Sequence, residues 1–111
     1  MPAAEFLLEH MSRTLWDPVD TTCLGSLDPR LHAKVNGEIY RFSRTSTLAK
    51  FRHDPVRWCG ILRDPVSGAR FVPNRRSPRH DLQDSPYFFT SDSTRRVFVA
   101  APEQFAIHRD Y

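Results

Sequence analysis

Chemistry in this 111-residue chain would have to start from two cysteines, five histidines and a scatter of hydroxyls. Cys23, His32, His53 and Cys59 would together offer two sulfurs and two ring nitrogens, a usable donor set for tetrahedral zinc. Their separations of nine, 21 and six residues match no compact metal-binding motif. Cys59 beside Trp58 reads more readily as a small buried hydrophobe. No spacing fixes a cysteine nucleophile beside a base. A phosphate loop is also missing, because Asp64-Pro65-Val66-Ser67-Gly68 lacks the lysine and helix that should follow. These residues point away from an enzyme and leave the Cys/His set as a metal-binding alternative.

A second group is basic. Arg75, Arg76, Arg79 and His80 crowd one polar stretch, and Arg95-Arg96 could extend the patch towards an acidic protein or a nucleic acid. Asp81 and Asp84 lie close by, the net charge is only +3, and aromatic and basic residues do not interleave, which argues against nucleic acid. Arginine outnumbers lysine 14 to 2. Arginine and aromatic residues are enriched at protein interfaces, so a protein partner is the expected occupant.

The elements that must position these residues come from a duplication. Asp17-Pro18-Val19 recurs as Asp64-Pro65-Val66, a shift of 47 residues. The same shift carries Tyr40, Phe42, Ser43 and Ser46 onto Tyr87, Phe89, Thr90 and Ser93. It also carries Thr47, Phe51, Pro55 and Trp58 onto Thr94, Phe98, Pro102 and Phe105, with no gap between matched positions.

In the first copy, Leu31–Val35 and Glu38–Phe42 flank Asn36-Gly37, a strong hairpin signal. Tyr40 and Phe42 then share one strand face. Ser43 is the expected cap of a helix burying Leu48 and Phe51, which ends at Asp54-Pro55. In the second copy, Arg70–Val72 and Tyr87–Phe89 are the expected strands. A long polar insert, Pro73–Pro86, takes the place of the hairpin turn. Thr90 is the expected cap there, with Val97 and Phe98 packing inward.

Ahead of both copies, Phe6, Leu7, Met11 and Leu15 recur at helical spacing, so Ala3–Leu15 is expected to be an amphipathic helix covering the core. The expected layout is an N-terminal helix over 1–16, a first unit over 17–62 and a second over 63–111. A unit of this size buries little surface alone, so the two are expected to pack through their aromatic residues as one domain.

Hydrophobic and charged fractions of 40% and 26% suit a folded chain. Two cysteines are too few for a disulfide scaffold and fit a reducing compartment. No signal-type apolar run and no stretch near the roughly 20 residues that span a bilayer is present. A cytoplasmic protein without membrane contact is the expectation.

The framework resembles the YHS family, small domains related to the TRASH-type metal-binding modules. That family opens on Asp-Pro-Val-Cys-Gly, continues through a hairpin to Tyr-x-Phe-Cys-x-x-x-Cys, and places a phenylalanine four residues later. Tyr40-Arg41-Phe42-Ser43, Thr47 and Phe51 hold this spacing, as do Tyr87-Phe88-Phe89-Thr90, Thr94 and Phe98. The openers are Asp17-Pro18-Val19-Asp20 and Asp64-Pro65-Val66-Ser67-Gly68, and the resemblance covers about residues 17 to 105.

The resemblance implies an α+β fold of two tandem β-hairpin–helix units. The cysteines that bind metal in the family are replaced here by Ser43, Thr47, Thr90 and Thr94, with Asp20 or Ser67 in the opener. Hydroxyls replace thiolates poorly for soft or borderline ions. The expected protein is therefore a cofactor-free, non-catalytic interaction module. It would act as a subunit or accessory of a larger complex, and the resemblance extends this to metal-dependent oxidation or metal handling.

Overall fold

A computed structural model describes residues 15–106. All but the last residue of the expected N-terminal helix lies outside the described residues.

The elements follow from local sequence. Asn36 and Gly37 both take positive φ, 50° and 76°, which gives a tight turn whose twist matches that of the strands it joins. It links β1 (His32–Val35) to β2 (Glu38–Arg41), as the Asn-Gly pair predicts. Helix α1 (Thr45–His53) follows and stops at Asp54, whose amide reaches back to the Lys50 and Phe51 carbonyls. Pro55 cannot donate such a bond and instead opens the short helix α2 (Pro55–Trp58). Next come β3 (Leu62–Arg63) and β4 (Arg70–Phe71), an antiparallel pair. The chain continues through β5 (Arg79–Leu82), β6 (Ser85–Phe88), α3 (Asp92–Ala100) and α4 (Pro102–Phe105).

The 47-residue shift carries β1, β2, α1 and α2 onto β5, β6, α3 and α4, residue for residue at both ends of each element. This corrects the expected layout of the second copy. Its hairpin is not replaced by a loop over Pro73–Pro86. Gln83 and Asp84 make the turn at φ of 51° and 65°, in register with Asn36 and Gly37. Arg70–Phe71 pairs with Leu62–Arg63 instead of with the Tyr87 strand. The signal was hidden because Gln83-Asp84 has no glycine and β5 is entirely polar up to Leu82. Val97 is likewise exposed, with Phe98 alone buried on α3, since neighbours on a helix point about 100° apart.

The described chain divides into two compact units, residues 15–33 with 39–54, and residues 34–38 with 55–106. In the first, Phe51 of α1 meets Tyr40 and Phe42 of β2 at ring-centroid distances of 5.1 and 4.9 Å. In the second, Phe98 meets Tyr87 and Phe89 at 4.7 and 5.3 Å, with Val66, Leu82 and Phe105 around them. All six rings are buried. Tilted aromatic contacts of this kind add to the burial of each ring. Gly25 in the first unit lies so close to β2 that a Cβ there would come within 2.5 Å of the Arg41 Cβ.

The second unit holds Asn36 by four hydrogen bonds. Its backbone N–H donates to the Pro86 carbonyl, and its Nδ2 donates to the Phe88 and Arg63 carbonyls at 2.9 and 3.0 Å. Its Oδ1 accepts from the Phe88 N–H at 2.7 Å. The side-chain amide thus satisfies both backbone groups of Phe88, as a neighbouring strand would. Asn36→Gly keeps the positive φ but strands these buried groups. Urea denaturation is expected to show a loss of about 2–3 kcal/mol; a loss under about 0.5 kcal/mol would mean water replaces the amide.

Candidate functional site

The opener of each unit carries a buried carboxylate. Asp17 starts a loop in which its Oδ1 accepts from the N–H groups of Val19 and Asp20, at 2.8 and 3.1 Å. Proline at the second position leaves the Asp side chain to organise the turn, two and three residues on. Its Oδ2 points the other way and accepts from the Ser43 N–H at 2.8 Å, the Ser43 hydroxyl at 2.9 Å and the Thr47 hydroxyl at 2.6 Å. Strand β2 delivers Ser43 and the first turn of α1 delivers Thr47.

The second unit repeats this atom by atom. Asp64 Oδ1 accepts from the Val66 and Ser67 N–H groups at 2.8 and 3.1 Å. Its Oδ2 accepts from the Thr90 N–H and hydroxyl, both at 2.9 Å, and from the Thr94 hydroxyl at 2.7 Å. Both carboxylates are 0% exposed. Burial alone would push each carboxyl upward. The amide of Ser43 or Thr90, the hydroxyl of Thr47 or Thr94 and the loop amides outweigh it, holding both below the ordinary 3.8.

The hydroxyls of Ser43, Thr47, Thr90 and Thr94 are therefore donors to a charge. Ser43 and Thr90 are not helix caps as expected. Each lies one residue too early, and the N-caps are Arg44, which makes no side-chain cap bond, and Ser91, which accepts from the Thr94 N–H. Ser43 and Thr90 are drawn away because the carboxylate offers a stronger, charge-assisted bond than a helix N–H would. With five donors on each carboxylate, no lone pair is left to serve as a general base.

The loops differ in one respect. The Asp17 N–H closes on the Cys23 carbonyl, whereas the Asp64 N–H closes on the Ala69 carbonyl, so the first loop is one residue longer. Each loop seals a short antiparallel ladder, Trp16 opposite Leu24 in the first unit and Arg63 opposite Arg70 in the second. In the first loop Asp20 also binds Arg44 at 3.1 Å. The Thr22 hydroxyl and amide, then Arg44, hold the Asp20 carboxyl down at about 2.

The Cys/His set is not gathered. Among the described residues, no group of three or more His, Cys, Asp or Glu side chains stands where it could hold a metal ion. The Cys23 thiol turns to Asp20 at 3.5 Å, and His32 Nε2 lies 2.8 Å from the Ser26 carbonyl. His53 is exposed at the end of α1, and Cys59 is buried just beyond α2.

The expected basic patch is largely compensated from within. Arg79 pairs with Asp81 and lies over the Phe88 ring, and Arg95 and Arg96 share Asp92. His80 stands edge-on to Phe98 at 6.0 Å. Arg75 and Arg76 occupy an exposed turn organised by Asn74 and Ser77. The residues that reading by type passed over are Asp17 and Asp64. Their signal was present: both lie in the 47-residue register with the hydroxyl pairs.

No protein-family model matches the chain, and no match is found among curated proteins or solved structures. No helix among the described residues is long and apolar enough to cross a membrane.

Each carboxylate is depressed in the folded state, so its contribution to stability is present above about pH 4 and is lost as pH falls through the folded value. Thermal melts should show stability falling steadily below pH 4. Asp17→Asn or Asp64→Asn turns an amide donor or a neutral acceptor towards donors. Each should cost about 2–3 kcal/mol at neutral pH and make the acid dependence shallower. A variant as stable as wild type, with an unchanged pH profile, would contradict the anchoring role.

Proposed function

We propose that the chain is a non-catalytic protein-interaction module built from two degenerate YHS-like units, acting as a subunit or accessory of a larger complex. The observation that carries this reading is the saturation of both carboxylates. The hydroxyls at the family's ligand positions are consumed in closing the opener loops, so the polar residues of each unit's interior serve the fold. What remains for function is the surface those loops present.

On the first unit the root of that loop carries two exposed apolar side chains. Trp16 and Leu24 face each other across the ladder at the root of the Asp17 loop and are 41% and 56% exposed. Exposed leucine singly means little, but an exposed tryptophan held in a β-bridge is of the residue type most enriched at interface hot spots. By family resemblance, a partner in metal-dependent oxidation or metal handling is the natural extension.

Affinity capture from native extract with wild type and with Trp16→Ser/Leu24→Ser provides the test. The expected result is a stoichiometric partner that survives washing with wild type and is lost from the variant, both remaining folded by circular dichroism. A clean monomer with no partner would overturn the proposal. So would stoichiometric zinc or copper that disappears when Cys23 and Cys59 are replaced.

A further inference from the structure

The ladder of the second unit carries a different chemistry. Side chains alternate along a strand, so the buried Leu62 and its partner Phe71 face one side while Arg63 and Arg70 face the other. Both arginines are exposed and directly opposite each other. Like charges in that position repel. Elsewhere in this unit nearby carboxylates relieve arginine, Asp81 for Arg79 and Asp92 for Arg95 and Arg96. Neither Arg63 nor Arg70 has an ion-pair partner among the described residues.

Just beyond the outer ends of the two strands stand Ile61 and Val72, 51% and 67% exposed. The surface at β3–β4 thus brings two arginines without an ion pair close in sequence to two exposed aliphatic side chains. The Asp64 loop joins the two strands directly, and its bonds to Val66, Ser67, Thr90 and Thr94 fix the spacing of the arginine pair.

We infer that the β3–β4 face, Arg63 and Arg70 with Ile61 and Val72, docks an acidic peptide segment of a partner protein with aliphatic residues flanking its carboxylates. The inference rests on the interaction-module reading and adds a second surface with its own ligand chemistry. Guanidiniums hold carboxylates through paired, charge-assisted hydrogen bonds. A carboxylate between the two arginines removes their repulsion, and aliphatic neighbours in the peptide cover Ile61 and Val72. The face has no aromatic platform on which bases could stack, so a protein segment fits better than single-stranded nucleic acid.

The probe is a fluorescein-labelled octapeptide alternating glutamate with valine or leucine, titrated by anisotropy at low salt against the full chain. Its lysine counterpart and a mixed-sequence single-stranded oligonucleotide serve as controls. Wild type is expected to bind the acidic peptide and not the lysine one. Arg63→Glu/Arg70→Glu should weaken that binding by at least about tenfold, whereas Arg75→Glu/Arg76→Glu should change it less than about threefold.

Arg70→Glu alone separates a structural role from a docking role. It sets opposite charges across the ladder, so the thermal midpoint should rise by about 2 °C while peptide affinity falls. Equal loss in both double variants, no binding by wild type, or tighter binding of the oligonucleotide would overturn the assignment. If it fails while the Trp16/Leu24 capture succeeds, the interaction reading stands and only this face is wrong. If both fail, the module reading itself goes.

Discussion

A buried carboxylate that has lost its water must recover every hydrogen bond from the protein, and both units of this chain are organised around that demand. Asp17 and Asp64 each collect two loop amides on one oxygen and an amide with two hydroxyls on the other. The bonds join the opener loop, the end of the second hairpin strand and the first turn of the helix. An unpaired charge at this depth would cost several kcal/mol. A charge with five donors instead fixes the relative positions of three segments that are distant in sequence. The aromatic rings pack within the same units that these bonds hold together.

Such a frame leaves the sequence outside it free to diverge, and the two copies show how far. The ladder at the root of each loop keeps its backbone pairing, yet carries tryptophan and leucine in one unit and two arginines in the other. The extra residue in the first loop is absorbed before β1, because from His32 onward the copies return to register. Duplication thus supplied two presentations of one scaffold with unlike surfaces.

Much of the fold was legible because the signals are local and doubled. Asn36-Gly37 specifies its turn through backbone freedom, and Tyr40, Phe42 and Phe51 recur with their spacing intact. The second hairpin was not legible, since Gln83-Asp84 adopts the same dihedrals without a residue that advertises them. Tertiary pairing dictated that turn, and propensity did not. The candidate site was half legible. Ser43, Thr47, Thr90 and Thr94 were singled out by position, but their partner was not. An aspartate before proline reads as a turn former, and only the three-dimensional arrangement brings its second oxygen to hydroxyls 26 and 30 residues away. Density of arginine in sequence likewise does not show which carboxylates lie within reach, Asp81 for Arg79 and Asp92 for Arg95 and Arg96.

Asn36 carries a consequence for how the chain is made. The first carboxylate has all of its donors once residue 47 has left the ribosome, so that unit's frame can close while the rest is still being synthesised. The second requires residue 94, and its strand β6 leans on an amide that was translated some fifty residues earlier, at the tip of the first hairpin. Vectorial synthesis therefore imposes an order: the early hairpin is a template waiting for the later strand. A nascent chain that keeps this turn but lacks the Asn36 side-chain amide would form its first hairpin and leave the backbone groups of Phe88 without that partner.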